Sequence, residues 1–480
     1  MKEHTHESGV RACMLFIALY LAIISIFYYA AGEQLYERQS DHEISSTPGD
    51  SVTPELADGF WLRQEFVCEM DKVDRFSVNI ATFARKNQGT LHMELWDDTL
   101  EQKVYSESFA MEDLIDGQVL ECVLQEAAAD VRGHKLSVRM ASPDGTSQNA
   151  VAPWYASAGN ASGAQLYFGS NAVSGMICFA VYGLDNVWTG PHYWRIMLTL
   201  GVILFLICIL LVYQKRAGKK NLIFTIASVG RRYRFLLKQL VARDFKIKYR
   251  RSALGALWSF INPLMTMCVQ YIVFSTIFKM DIANYPVYLL SGVVFFNFFT
   301  ESTNVAIHAI TGNAGLITKV YVPKVIYPVS KVLSTGVNLL ISLLPLLIMS
   351  LATGIRITKA WLLLPYGLVS LVLLCTGAGL LLSAVMVFFR DMQFIWSVLC
   401  MVFNYVTPVF YPESILSEPM RAALQWNPLY HHISFFRTIV LDGISPEPWL
   451  YFKCMLFSLT VLAGGYLVFR KVQDKFIFYI

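Results

Sequence analysis

The sequence predicts an α-helical integral membrane protein of about eight spans, with an extracytoplasmic all-β sandwich inserted near its amino terminus. Three observations predict it. Hydrophobic residues make up 55% of the 480-residue chain and charged residues only 15%, where a soluble domain carries about 25% charged. Apolar runs of about 20 residues recur along the chain, each long enough to cross a hydrocarbon core. The net charge of +4 is unevenly spread: residues 33–190 hold 24 acidic and 10 basic residues, a net of −14, and the remainder holds 29 basic and 11 acidic, a net of +18. An acidic block of that size reads as a separate, water-facing domain. The surplus cations sit in loops flanking apolar runs, where the positive-inside rule places them, so they do not point to nucleic acid.

Residues 1–32 read as a short cytoplasmic segment and a first anchor. The run 11–32 follows Lys2 and Arg11 and closes on Ala30-Ala31-Gly32, a small-residue end of the kind that signal peptidase cuts. Its apolar length of about 20 residues exceeds a usual signal core, which favours an uncleaved anchor. Residues 33–58, with Ser45, Ser46, Pro48, Gly49 and Pro54, read as a linker. Residues 59–190 alternate apolar and polar side chains at Phe76–Ile80, Leu91–Leu95 and Leu136–Met140, with turn signals at Asn87-Gln88-Gly89, Asp116-Gly117 and Asp144-Gly145. Period-two runs at this spacing predict an antiparallel sandwich, and the pattern is similar to jelly-roll, galactose-binding-like domains.

A second anchor occupies 191–214, its span 193–213 entered through Trp188, Tyr193 and Trp194 as an interfacial aromatic belt. The basic stretch 215–254 follows and is placed in the cytoplasm, which puts the sandwich outside. Six further spans are expected near 255–279, 287–307, 325–352, 361–388, 392–411 and 449–470, forming a core over 255–480. The stretch 404–437 is too broken by proline for one span. Re-entrant half-helices at the outer face are its physical option, because irregular backbone survives at membrane depth only where protein or a water-filled cavity surrounds it.

The segment from Arg231 to Trp258 runs from a basic amphipathic stretch into an apolar one without a linker. Leu236, Leu240 and Phe245 fall along one side, while Arg243, Lys246, Lys248, Arg250 and Arg251 reach toward headgroups. Physics alone leaves two readings open, a plain positive-inside anchor or an interface helix that passes motion to a partner. The wording Arg243-Asp244, Lys246, Lys248-Tyr249-Arg250, Ser252, Leu254-Gly255, Leu257-Trp258 resembles the membrane subunits of bacterial ABC exporters for lipid-linked polysaccharides, the ABC-2 type permeases for O-antigen and teichoic acid. Three further segments share that family's wording: Asn313, Leu316-Ile317, Lys319, Tyr321 and Pro323; Phe388-Phe389-Arg390-Asp391; and Asn427-Pro428-Leu429-Tyr430. The resemblance covers roughly 225–480.

The resemblance implies a permease in the bacterial cytoplasmic membrane that works as a homodimer with two copies of a cytoplasmic ATPase and passes a lipid-linked glycan outward. It implies an interface helix carrying Arg243, Asp244, Lys246, Lys248, Tyr249, Arg250 and Trp258. It also implies an ATPase-coupling set of Asn313, Leu316, Ile317, Lys319, Tyr321, Pro323, Arg390 and Asp391. ATP and Mg are expected on the partner, since the chain has no G-x-x-x-x-G-K-S/T phosphate loop; Gly218-Lys219-Lys220 lacks both the upstream glycine and the hydroxyl.

For the substrate path, aromatic faces pack against the C–H faces of sugars and tolerate sliding. Phe295, Phe296, Tyr405, Phe410, Tyr411, Trp426 and Tyr430 are the candidates, with core packing or an interfacial belt as the plainer reading for most of them. Glu301, an acid inside a span, is costly unless it faces a cavity or partner. His308, His431 and His432 lack a third metal ligand at a useful spacing, so they read as belt or polar-pocket histidines. Cys68, Cys122 and Cys178 leave a disulfide undecided in the acidic domain. A drug or lipid exporter of the same class remains a second reading. A membrane glycosyltransferase using Glu413, Glu418, Asp442 or Glu447 is a third, without a motif to order those acids.

Overall fold

The computed structural model describes residues 2–42, 49–57, 60–157, 163–216, 232–250, 252–277, 282, 284–320 and 322–479. The chain divides into two compact units, Met1–Gly32 with Trp194–Ile480, and Glu33–Tyr193.

The second unit is a two-sheet antiparallel sandwich. One sheet holds β1 (Glu37–His42), β13 (Phe179–Asn186), β4 (Lys72–Ala81), β9 (Ala152–Ala156) and β12 (Met176–Ile177) in that order, with β2 (Ser51–Val52) on β9 and β7 (Gln118–Ala129) on β4. The other runs β11 (Asn171–Val173), β10 (Gln165–Phe168), β3 (Trp61–Val67), β8 (Lys135–Ala141), β5 (Thr90–Asp97) and β6 (Gln102–Ala110). The period-two pattern sets which face is inside: Leu62, Phe66, Leu91, Met93, Leu95, Leu136, Val138 and Met140 are fully buried against Phe76, Val78 and Ile80 of the facing sheet. Gly89 at φ +117 and Gly117 at φ +74 close turns marked in the sequence. The expected linker 33–58 is partly structured. Glu37–His42 pairs along β13 as an edge strand, invisible to hydropathy because its backbone alone does the pairing and its side chains are polar. Cys68, Cys122 and Cys178 are separate buried thiols, and burial pushes Cys122 up to about 12.

In the first unit, five described helices are long and apolar enough to cross a membrane: Thr189–Leu210, Gly255–Thr276, Ile326–Ala352, Lys359–Phe388 and Pro448–Tyr479. Ile17–Ala31 and Met392–Val406 are shorter apolar helices. The helices in chain order are α1 (Lys2–Ala31), α2 (Thr189–Arg216), α3 (Arg234–Tyr249), α4 (Trp258–Tyr271), α5 (Tyr285–Ile307), the single turn α6 (Ala314–Ile317), α7 (Ile326–Ala352), α8 (Leu364–Phe388), α9 (Met392–Val406), α10 (Glu418–Leu424), α11 (Pro428–Val440), α12 (Pro448–Val472) and α13 (Phe476–Tyr479).

The helix α5, expected as a span, packs against α4, α7, α8 and α11 and falls below the hydropathy of the other five, with Asn297, Glu301 and Asn304 on one face. A side chain at Gly377 of α8 or Gly465 of α12 would overlap the opposing backbone. Small residues thus let those two helices touch closely. Tyr20 Oη of α1 donates to Met197 O of α2 at 2.7 Å.

The expected span 392–411 ends early. Thr407 is extended, as the residue before Pro408 must be, which stops α9 at Val406. Asn427 then caps α11 by accepting from Leu429 N at 3.0 Å, with Pro428 in the first turn. At about 20 Å, α11 is too short to cross a bilayer core.

Candidate functional site

Asn297, Glu301 and Asn304 of α5, and His308 just past its end, recur at four, three and four residues and so share one helix face. Asn297 and His308 are exposed, and Glu301 and Asn304 half-buried, while Phe295, Phe296, Phe298 and Phe299 are buried. Helix α7 repeats the spacing with Lys331, Thr335, Asn338 and Ser342. Asn338 Nδ2 donates to Glu301 Oε1 at 3.2 Å, so the two stripes meet. Polar side chains on one face of an apolar helix are costly against hydrocarbon and mark a water-filled cavity or a partner.

The basic helix α3 closes one side of this stripe. Lys248 Nζ lies 2.5 Å from Glu301 Oε1. Tyr249 Oη donates to Asn338 Oδ1 at 3.0 Å and bonds Ser259 Oγ of α4. Asp244 is clamped between Arg243 at 2.9 Å and Lys331 at 2.9 Å. Arg243 Nη2 also donates to Asn313 Oδ1 at 3.3 Å, and Asn313 Nδ2 donates to Ala309 O at 2.8 Å. One hydrogen-bonded chain therefore joins the basic helix, the loop after α5 and the polar stripe. Two clefts open on it. One of about 200 Å³ lies among Tyr249, Trp258, Asn262, Asn297, Glu301 and Asn338. One of about 760 Å³ lies among Arg243, Asp244, His308, Asn313, Lys331 and Glu301.

The loop after α5 is short: a 3₁₀ turn Thr311–Asn313 and one α turn, α6. It exposes Leu316 and Val320 and turns Ile317 into a cluster with Leu240 and Ile326. Lys319 is exposed and Pro323 half-buried, and Tyr321 lies outside the described residues. Arg390 and Asp391 are exposed at the α8–α9 turn, with Phe388 packed edge-on to Tyr479 at 4.9 Å. Lys246 is exposed on α3 and Arg250 is exposed just past its end, and Arg251 lies outside the described residues.

The aromatics expected along a path divide. Phe295 stacks on Phe436 at 3.6 Å between ring centres, Phe296 is buried, and Phe410 stacks on Phe274 at 5.5 Å; all three pack the core of the described chain. Tyr405 and Trp426 are exposed at 65% and 80%. Tyr411 donates to Tyr405 O at 2.7 Å, and Tyr430 Oη to Glu413 Oε2 at 2.6 Å. Tyr430 and Glu413 line a third cleft, of about 430 Å³, with Tyr288, Arg437 and Asp442. Arg437 pins the unwound segment after α9, donating to Pro408 O at 2.6 Å and Val409 O at 2.8 Å, with its guanidinium 3.5 Å from the Tyr288 ring centre. His432 bonds Pro428 O at 2.7 Å and Ser370 Oγ at 3.0 Å, and His431 bonds Gln425 O at 2.9 Å.

Sequence reasoning singled out Glu301 and missed Asn297, Asn304, Lys331, Thr335, Asn338 and Ser342. Their signal was available as polar residues at three- and four-residue spacing inside two apolar runs.

A bundle of apolar helices with one polar face, a basic helix at its edge and a short loop joined to both defines a membrane transport subunit. A family profile described as ABC-2 type transporter matches residues 236–441. The chain is 30% identical over 246 residues to an O-antigen export system permease protein RfbA of Myxococcus xanthus, covering 51% of this chain and 95% of that protein. It is 26% identical over 243 residues to an RfbA of Klebsiella pneumoniae, covering 50% and 93%. It is 24% identical over 245 residues to the polysialic acid transport protein KpsM of Escherichia coli, again covering 50% and 93%. The chain belongs to the ABC-2 type transporter family of polysaccharide export permeases. The sandwich, Glu33–Tyr193, lies outside the residues that the family profile matches.

Proposed function

We propose that this chain is the membrane-spanning permease subunit of an ATP-driven exporter that moves lipid-linked polysaccharide from the cytoplasmic side outward. The observation that carries the mechanism is the open polar face Asn297–Glu301–Asn304–His308, which in a lone protomer would meet lipid. A second copy placed against it gives a homodimer with a hydrophilic path between protomers, and sugar hydroxyls exchange hydrogen bonds with Asn, Glu and Ser side chains without large charge cost. Two cytoplasmic ATPase copies, which carry the ATP and Mg, dock on the exposed Leu316 and Val320 and the Arg390-Asp391 turn. Their motion reaches Glu301 through Asn313, Arg243 and Lys248.

In this reading the chain crosses the cytoplasmic membrane about eight times. Residues 33–190 lie outside and the basic segment 215–254 inside, as the positive-inside rule requires. The chain itself makes and breaks no covalent bond of the substrate.

The test is depletion of the protein followed by measurement of lipid-linked glycan on each side of the cytoplasmic membrane. Build-up on the inner leaflet with loss at the surface is expected. Unchanged levels on both sides, in a cell with no second exporter, overturn the polysaccharide assignment in favour of a drug or lipid exporter.

A further inference from the structure

The six-stranded sheet of the sandwich turns its apolar side chains inward, and the opposite face carries three transverse rows of a different chemistry. The register puts Trp61, Ala141, His92 and Ser108 side by side; next to them Tyr167, Arg63, Arg139, Glu94 and Ser106; and next to those Glu65, Ser137, Trp96 and Lys103. Ala141 is the small residue of the first row. Between Trp61 on β3 and His92 on β5 it leaves a hollow of about 330 Å³, walled by Arg63, Glu94 and Arg139. That volume falls at the lower end of small-ligand sites, about 300–1,000 Å³.

The walls are pre-set by their neighbours. Arg139 lies 4.4 Å from the Trp96 ring centre and donates to Asp98 Oδ1 at 2.6 Å. Arg63 lies 4.8 Å from the Tyr167 ring centre and pairs with Glu65. Glu94 accepts from Trp96 Nε1 at 2.6 Å and Lys103 Nζ at 3.1 Å. His92 Nδ1 bonds Ser108 Oγ at 2.6 Å. Trp61 remains 41% exposed. Charges balanced within the face leave little net field for a strongly ionic ligand. A flat indole beside fixed donors and acceptors suits a ligand with one C–H-rich face and an edge of hydroxyls. A pyranose ring has that form.

We propose that this sheet face is a binding site for neutral sugar residues of the exported polysaccharide, with Trp61 as the stacking platform and Arg63, His92, Glu94 and Arg139 meeting the ring hydroxyls. It rests on the reading of the chain as a polysaccharide permease. The sandwich then holds sugar residues of the exported glycan.

The test uses the full chain in detergent and, as probe, surface polysaccharide purified from the producing cell, freed of lipid and cut to short oligosaccharides. Titration calorimetry compares wild type with Trp61→Ala, with Ala141→Leu, which fills the hollow, and with Val123→Ala, which is 62% exposed on a strand of the other sheet. At least tenfold weaker binding in Trp61→Ala, loss in Ala141→Leu and no change in Val123→Ala is expected. Equal binding in wild type, Trp61→Ala and Ala141→Leu overturns the site, as does absence of binding to wild type. In the latter case the depletion experiment separates the causes: export without binding removes this site alone, and neither export nor binding removes the permease reading with it. Thermal midpoints of Trp61→Ala and Ala141→Leu are expected to match wild type, because both side chains lie on the face away from the sandwich core.

Discussion

Lys248 of the basic helix α3 and Glu301 in the middle of the polar stripe are joined at 2.5 Å, and Glu301 also accepts from Asn338 at 3.2 Å. With 41% and 36% of their side chains exposed, the two ions are partly solvated, and such a pair contributes about 0–1 kcal/mol to stability. Its importance is then positional. Exchanging the charges as Lys248→Glu with Glu301→Lys is expected to restore export lost in either single variant, while none of the three shifts the detergent unfolding midpoint by more than a few degrees. Export assays on the singles and the double check this; a double no better than the singles means that Glu301 acts through the path and not through α3.

Arg243 and Asn313 form the joint between α3 and the loop after α5. Asn313 is buried, with its side-chain amide committed at both ends. Asn313→Ala removes both bonds and leaves Ala309 O short of a donor, at a cost of about 1–3 kcal/mol. Arg243→Gln removes the bond from the other side and loosens Asp244. With the ATPase proposed as partner, both variants are expected to assemble yet transport at least tenfold less glycan per ATP hydrolysed. The ratio of export to hydrolysis in reconstituted vesicles reads this directly, and an unchanged ratio removes the joint from the coupling route.

Phe295 stacks face to face on Phe436 in the core. Phe295→Ala opens a cavity and is expected to cost about 3–5 kcal/mol, seen as a marked drop in unfolding midpoint and in membrane abundance. Trp426, 80% exposed, behaves oppositely. Trp426→Ala is expected to change stability by no more than about 0.5 kcal/mol, so any export defect there reports contact with substrate or partner. Thermal unfolding of the two purified variants distinguishes packing from path.

What the sequence made legible follows from which signals are local. Hydropathy finds α2, α8 and α12 because each is apolar nearly all round, and α7 because its apolar residues outweigh the stripe Lys331, Thr335, Asn338 and Ser342. Alternation finds β4, β5 and β8 because one face of each is buried. The edge strand β1 escapes because its pairing is made by backbone groups that no side-chain pattern reports. Of the α5 stripe only Glu301 and His308 stand out, since Asn297 and Asn304 are uncharged and lower the mean hydropathy without showing which face they share. Phe295 and Trp426 are both plausible path residues in a sequence, because an aromatic ring serves a core and a sugar equally well. Only the packing of Phe295 on Phe436 and the exposure of Trp426 separate them. Arg437 likewise reads as a loop cation until its carbonyl partners Pro408 and Val409, 29 and 28 residues away in sequence, are seen.

Asp71 supplies a prediction about acid. Its carboxylate accepts from Asn186 N at 2.8 Å and Arg132 Nε at 2.6 Å, tying the start of β4 to the end of β13. The amide of Asn186 favours the charged form and, together with the Arg132 guanidinium, outweighs the opposing effect of burial, so that Asp71 is held below its ordinary range. A carboxyl whose folded value lies below its unfolded value of about 3.9 adds stability that is complete above that value. The contribution is lost as pH falls through the folded value. Hydrogen exchange at β4 and β13 is therefore expected to stay slow from pH 7 to pH 5, after correction for the intrinsic rate, and to quicken below about pH 4. Asp71→Asn keeps one acceptor but cannot ionise. It is expected to raise exchange at these strands at pH 7 and to flatten the acid response. An equal acid response in wild type and variant would assign the effect to other carboxylates, first Asp116, which the Thr82 amide holds low in the same way at 2.6 Å.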